Sequence, residues 1–401
     1  MEQPPSSSRV LRRVEELTVA GLGRVQAIDV APGLVLVDEA GEELFPVSDW
    51  LLSLQANDCT SHTVRAYAMS LLRFARFLWA VDCPLERATE VEVRDFVLWA
   101  RQAKKFVGNK RPSGTHGQRN VVTGKRHAGL RYSAKTINHT LTVVHEYYAF
   151  HIERGRGPIV NPVPSGRSAP MGAGDEIGGQ PALRRRGRLR QREPERSPRS
   201  LPDAQFDALF RKLGCHRDRA LLAFYVSSGV RASELLQLTG DRVNYGDHLI
   251  RVTRKGGSEQ WLPASPDAFV WLRLYQLERG TPSPNEPVWL TLRQPQRALT
   301  YDALRAVLNR ANQVLGSNWT THDLRHTFAQ RALDGGMALH EVQELLGHVS
   351  LATTSIYTKP HMNEVIAHHR AALTRKPVPE ATAMPAYDQA DLDSVFSGAA
   401  S

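Results

Sequence analysis

Cysteine is scarce. Cys59, Cys83 and Cys215 are the only three in 401 residues, too few and too scattered for a disulfide framework or a four-ligand zinc site. They read as small core residues of a protein kept in a reducing compartment. Long apolar runs are missing as well: none approaches the ~18 residues that a membrane span requires. The opening MEQPPSSSRVLRR has no apolar stretch behind its basic residues. The expected setting is therefore cytoplasmic, with no membrane partner. Acid is the third shortage. No Asp or Glu occurs between Phe96 and His145, and 51 Lys+Arg against 41 Asp+Glu leave a formal charge of +10. That balance favours a polyanionic partner, nucleic acid before membrane.

What is present is ordinary globular composition, 41% hydrophobic and 23% charged, at a length that allows two or three domains. Residues 1–46 alternate apolar positions (Leu34 to Val37) between Gly33 and Gly41 and read as an N-terminal appendage of short strands. From 47 to 162 the period becomes helical. Val64, Tyr67, Leu71, Phe74 and Leu78 share a stripe behind a Thr60-Ser61 start, with Arg65, Arg73 and Arg76 on other faces, and Ile137, Leu141, Val144 and Tyr148 share another. A small all-helical domain follows from this.

Two basic stretches interrupt the pattern. The insertion 103–131 carries Lys104, Lys105, Lys110, Arg111, Lys125 and Arg126 with no carboxylate in its sequence to neutralise them, so it is expected to meet phosphate. Residues 163–200 are a linker by composition, Gly-, Pro- and Ser-rich and then dense in arginine (Arg184, Arg185, Arg186, Arg188), a tether expected to lie along a phosphate backbone and order on binding. Arg65 and Arg73 join these as expected DNA contacts.

A second folded domain spans 201–375. It has helical stripes, a strand at His248 to Thr253, a Lys255-Gly-Gly-Ser turn and a partner strand at Glu259 to Pro263, and helices then resume at Tyr301 to Leu315, His322 to Asp334 and His340 to Leu346. The Pro- and Ala-rich, acidic residues 376–401 read as a tail. The fold class expected is mainly α with a small antiparallel β-sheet in this second domain, an α+β arrangement. Four clusters in it look chemical: Gly229-Val-Arg231-Ala-Ser-Glu234, Lys255, His322-Asp-Leu-Arg325-His326, and Leu345-Leu-Gly-His348 followed by Tyr357. Taken singly, Arg231 beside Glu234 is a helix-surface ion pair, Lys255 a turn lysine and Tyr357 a core or surface tyrosine. His322 and His326 at i and i+4 invite a metal, but the residue after His322 is Asp rather than Glu, and Arg325 would set a permanent positive charge beside the ion. No metal and no cofactor are expected, and His326 is read as a residue packed behind the site.

Taken together the clusters resemble the tyrosine recombinase/integrase family. SSGVRASELLQL is similar to its first box, THDLRHTFAQRAL to its second and LLGHVSLATTSIY to its third, with His348 nine residues before Tyr357, and no position among the six departs from the pattern. The resemblance covers about 202–375 strongly and 47–162 weakly, as a helical core-binding domain, and implies two domains that clamp duplex DNA. It implies that Arg231, Arg325 and His348 hold the scissile phosphate, that Tyr357 is the nucleophile, that His322 takes or shuttles its proton and that Lys255 protonates the leaving oxygen. A 3′-phosphotyrosyl intermediate follows, which needs neither ATP nor metal. The expected partners are double-stranded DNA and further copies of the chain, a tetramer in the synapse and a monomer or dimer when free, with an accessory DNA-bending protein and nucleoid association. The regions beyond the two domains favour integration or excision of a mobile element over chromosome-dimer resolution. A type IB topoisomerase stands as the alternative chemistry, though that family places lysine where His322 stands, and a catalytically idle DNA-binding protein stands as the alternative of another class.

Overall fold

The computed structural model describes residues 12–106, 116–164, 187–193, 200–254, 256–347, 366 and 369–370. The chain divides into two compact units, one of Met1–Gln118 with Ala128–Glu195, the other of Arg119–His127 with Arg196–Ser401.

The first unit opens with an antiparallel hairpin, β1 (Arg24–Ala27) and β2 (Leu34–Val37), paired from Arg24 opposite Val37 to Ala27 opposite Leu34. The expected strands are there, but they are not an appendage: Leu36 is fully buried, because β2 packs on α1 (Phe45–Ala56) and α2 (Ser61–Ala80). Arg76 of α2 fastens the entry to β1, donating from Nε and Nη2 to the carbonyls of Leu22, Gly21 and Gly23. Helices α3 (Glu90–Gln102) and α4 (Ala134–Glu153) complete the bundle. Each helix starts where sequence offers a cap: Thr60 for α2, a reciprocal Thr89/Glu92 capping box for α3 and Ser133 for α4. The two expected stripes face one core, in which Phe74 meets Phe96 edge-on at 5.3 Å and Tyr148 donates to the Leu85 carbonyl at 2.8 Å.

The second unit is built round α6 (His216–Ser228), which lies between α5 (Asp203–Arg211) and α7 (Ala232–Leu236) in the chain. From Ala220 to Ser228 every α6 residue is buried, so the helix shows no polar stripe and sits at the centre, packed on α8 (Pro266–Arg279) and α10 (Thr321–Asp334). A three-stranded antiparallel sheet runs in the order β3 (Val243–Asn244), β4 (Leu249–Thr253), β5 (Glu259–Pro263). The β4–β5 hairpin is where the sequence put it, with Ile250 opposite Leu262 and Val252 opposite Gln260. Helices α9 (Tyr301–Leu315) and α11 (Leu339–Leu346) complete the described part.

Two boundaries differ from the expectation. The insertion does not stay in the helical unit: its residues 119–127 belong to the second unit, as a tight hairpin in which Arg119 bridges Arg126 and Asn120 N–H donates to the Lys125 carbonyl at 2.9 Å. The described part of the linker, 187–193, is not a free tether either. Leu189 packs on the first unit's core, while Asn138 of α4 donates to the Gln191 carbonyl and accepts from its N–H, at 2.9 and 2.7 Å. One leucine and one reciprocal amide dock a segment whose composition reads as disordered.

Candidate active site

Helix α6 ends in the left-handed conformation at Gly229 (φ +62°), where a Cβ would lie 2.2 Å from the Phe328 ring. Only glycine meets both demands. The turn sets Arg231 at the start of α7, where Glu234 accepts from the Arg231 N–H at 2.9 Å and from its Nη1 at 2.7 Å. The ion pair expected on a helix surface is thus half sunk: the Glu234 side chain is 3% exposed and that of Arg231 34%.

Behind Glu234 stands Arg254, a residue not singled out in the sequence. Its Nη1 donates to Glu234 at 2.9 Å and its Nε to Gln260 at 2.8 Å. Burial alone would raise the Glu234 carboxyl, but the Arg231 N–H and guanidinium and the Arg254 charge hold it below the ordinary range. A signal for Arg254 was available. Ile250 and Val252 face inward on β4, and Arg254 continues that two-residue period.

Arg325 lies on α10, whose first turn is fixed by a Thr320/Asp323 capping box. The side chain turns inward, donating from Nη1 to the Gly229 carbonyl at 2.6 Å and from Nη2 to the Leu346 carbonyl. Burial, then the neighbouring Arg231 charge, lowers its pKa to about 10, so it stays cationic at neutral pH. His322, one turn earlier, is exposed, with its Nε2 3.0 Å from Nε2 of the half-buried His326. Burial first, then His322, lowers the His326 pKa.

The three arginines converge on one helix end. The last carbonyls of α11 receive one guanidinium each: Arg254 at Leu345 (2.5 Å), Arg325 at Leu346 and Arg231 at Gly347 (2.8 Å). These are carbonyls without a helical partner, at the negative end of the helix dipole. Gly347 closes the helix at φ +58°, where a Cβ would press the Arg254 guanidinium at 3.0 Å. A guanidinium has five N–H donors in a planar fork. Against the described residues Arg231 and Arg325 each use two, which leaves donors of both for a further anion.

Of the six residues expected to act, Arg231, Arg325 and His322 are thus described, the first two drawn to one helix end. Lys255, His348 and Tyr357 lie outside the described residues, as do Lys110, Arg111, Arg184, Arg185 and Arg186. Among the expected DNA contacts, Arg65, Lys104, Arg126 and Arg188 are exposed, Arg188 standing 3.4 Å from Glu90, and Lys105 donates to the Gly129 carbonyl. Two expectations need correction. Arg73 is half-buried, donating to Thr140 at 2.6 Å and facing the Tyr132 ring, which makes it a packing residue. Lys125 is not short of a carboxylate, since it pairs with Asp323 at 2.5 Å across the fold. No group of three or more His, Cys, Asp or Glu among the described residues is placed to hold a metal ion, and no helix among them is long and apolar enough to cross a membrane.

Residues 201–364 match the phage integrase family and residues 47–155 its N-terminal SAM-like domain. The curated relatives include a tyrosine recombinase XerD of Xanthomonas campestris pv. campestris, 37% identical over 44% of this chain and 62% of the relative. A tyrosine recombinase XerC of Roseiflexus castenholzii is 38% identical over 38% of this chain and 49% of its own. These alignments therefore span less than two thirds of the relatives' length. Among solved structures, the Tn1549 transposon integrase in complex with circular intermediate DNA shares the fold at a TM-score of 0.52 and 14% identity, over 80% of this chain and 94% of that one. A lambda integrase dimer bound to a core site does so at 0.52 and 16%, over 79% and 98%.

Proposed function

Because the chain belongs to the tyrosine recombinase/integrase family, we propose that it cuts and rejoins duplex DNA at specific sites through a covalent phosphotyrosine. The observation that carries this reading is the convergence of Arg231 and Arg325 on adjacent carbonyls of α11, with donors left over. A phosphodiester in cleavage gathers charge on its non-bridging oxygens, and two fixed guanidiniums meet that charge without reorganising. In this mechanism Tyr357 Oη attacks phosphorus and gives up its proton to His322. The bond to the 5′-oxygen breaks, Lys255 supplies that oxygen's proton, and His348 donates to the same phosphate. The 3′-phosphotyrosyl bond keeps the phosphodiester's energy, so a 5′-hydroxyl of another strand reverses the step and exchanges partners.

The regions outside the two matched domains (1–46 and the arginine-rich segment) support integration or excision of a mobile element. The Xer names of the relatives favour a second reading, resolution of chromosome dimers. Attachment repeats bounding the gene would accompany the first and not the second. Partners in either case are double-stranded DNA and further copies of the chain, four in the synapse, with a DNA-bending protein as accessory and the bacterial nucleoid as the location.

A nicked suicide duplex tests the activity. Wild type should be trapped as a covalent adduct on a denaturing gel, and Tyr357→Phe should bind the duplex almost as tightly yet form none, since one hydroxyl adds little to a phosphate-dominated interface. An untrapped wild type would leave an idle DNA-binding protein. Relaxation of supercoils without exchange between two sites would point to the topoisomerase reading.

A further inference from the structure

The hairpin 119–127 is part of the second unit although the chain supplies it from the middle of the helical half. Its contacts there are polar and directed. Asn120 Nδ2 donates to the Gly316 carbonyl at 2.7 Å, Thr123 Oγ1 to Asn318 Oδ1 at 2.5 Å, and Asn318 Nδ2 to the Lys125 carbonyl at 3.3 Å. All lead to the entry of α10. There Lys125 Nζ meets Asp323 Oδ2, the same oxygen that accepts from the N–H and hydroxyl of Thr320. Asp323 stands between His322 and Arg325 in the chain, so the group that caps the helix is neutralised by a residue nearly two hundred positions away.

We propose that this hairpin is a positioning element of the catalytic helix: Lys125, held on Asp323, fixes the first turn of α10 and the donor and acceptor roles within the His322–His326 pair. The proposal rests on the strand-cleavage reading above. Its chemistry follows from the 3.0 Å contact between the two Nε2 atoms, in which one ring must donate and the other accept. With His326 neutral and accepting, His322 donates its Nε2–H and carries its lone pair on Nδ1, free to take a phenol proton. With His326 protonated, its Nε2 becomes a donor. His322 must then accept at Nε2 and carry its proton on Nδ1, and no lone pair remains for the phenol.

The groups that act on His326 are His322, Asp323 and Arg325 on its own helix and Lys125 on the hairpin. Asp323 favours the imidazolium, and the other three oppose it. Removing the lysine leaves the carboxylate uncompensated and raises the His326 pKa, which moves the acid limb of cleavage to higher pH. Lys125 is on this account a positioning residue.

The test compares full-length wild type, Lys125→Met, Lys125→Arg, Asp323→Asn and the double variant Lys125→Met/Asp323→Asn. Single-turnover trapping on the nicked duplex is followed across pH, and equilibrium binding across salt. Lys125→Met should slow cleavage at saturating DNA by about tenfold, shift the acid limb upward and leave the salt slope of binding unchanged. Lys125→Arg should recover most of the rate, and the double variant should be no slower than Asp323→Asn alone. The proposal is overturned if Lys125→Met cleaves normally once saturated while its salt slope falls by about one, the mark of a lost phosphate contact. A second readout needs no DNA. In histidine-labelled protein the His326 resonance, identified by its loss in His326→Gln, should titrate at higher pH in Lys125→Met than in wild type, and an unmoved titration overturns the proposal even in a chain that cuts DNA. Wild type without an adduct sinks the cleavage reading instead, and a raised titration would still support the hairpin's hold on the pair.

Discussion

At the scale of single residues, the buried Glu234–Arg254 pair decides whether Arg231 and Arg325, the arginines proposed to hold the phosphate, are held at all. Their side chains are 3% and 7% exposed, and Arg254 joins Glu234 to Gln260 and to the Leu345 carbonyl. Removing one member of a buried pair costs more than the pair is worth, because the partner's charge is left without compensation. Arg254→Met should therefore lower unfolding stability in urea by about 3 kcal/mol and abolish trapping on the suicide duplex. Arg254→Lys should recover little of either, since an ammonium on a flexible stem cannot reach three acceptors in one plane. Glu234→Gln combined with Arg254→Met should cost less than the two losses added. A stability loss under about 1 kcal/mol would place Arg254 among ordinary surface pairs.

At the scale of elements, what was legible follows from what is local. The hairpin Leu249–Thr253/Glu259–Pro263 was readable because alternation and a Gly-Gly turn are contained in fifteen residues, and the helices Tyr301–Leu315 and Thr321–Asp334 because their caps are Thr300 and Thr320. The two-residue strand β3 carries no period to read. Arg231, His322 and Arg325 stood out through the resemblance of their motifs to the family's, whereas the shared anchorage of Arg231 and Arg325 on α11 did not, because it is made by backbone carbonyls that any sequence supplies. Nor could the Lys125–Asp323 pair be found by reading near neighbours. The arginine-rich segment shows the opposite error, in which composition overrode one docking leucine, Leu189. Its docking does not remove its charge: Arg188 pairs with Glu90 at a distance and exposure worth under about 1 kcal/mol, and it can exchange that partner for a phosphate. Neutralising Arg184, Arg185, Arg186, Arg188 and Arg190 together should weaken specific and nonspecific DNA alike and make the dependence of log K on log salt shallower. An unchanged slope would show that the segment only joins the two units.

At the scale of the whole molecule, each unit encloses a neutral histidine that acid must charge. His151 in the first donates from Nε2 to the Pro46 carbonyl at 3.1 Å, and burial lowers its pKa. His369 in the second is 1% exposed, packs against Phe328 and donates to the Ser227 carbonyl at the end of α6. Burial pushes its pKa down to about 4. Unfolded, the same ring takes its proton near about 6.5. Between those values the unfolded chain binds the extra proton, so the stability this ring contributes is whole above the unfolded value and is lost as pH falls toward the folded one. Glu92 and Glu234, whose carboxyls lie below their ordinary range, add their own loss only further into acid. The second unit should therefore lose about 2 kcal/mol between about pH 7 and about pH 5 through His369 alone. His369→Leu should lower stability by a constant amount, because the Ser227 carbonyl is left unpaired, and should flatten the dependence in that interval. Urea unfolding at the two pH values, followed by fluorescence of Trp261, Trp271, Trp289 and Trp319 with Trp50, Trp79 and Trp99 replaced by Phe, reports on the second unit. If the variant retains the wild-type slope, the proton is taken up elsewhere, and the end of α6 that presents Gly229 and Arg231 is not the acid-sensitive part of the fold.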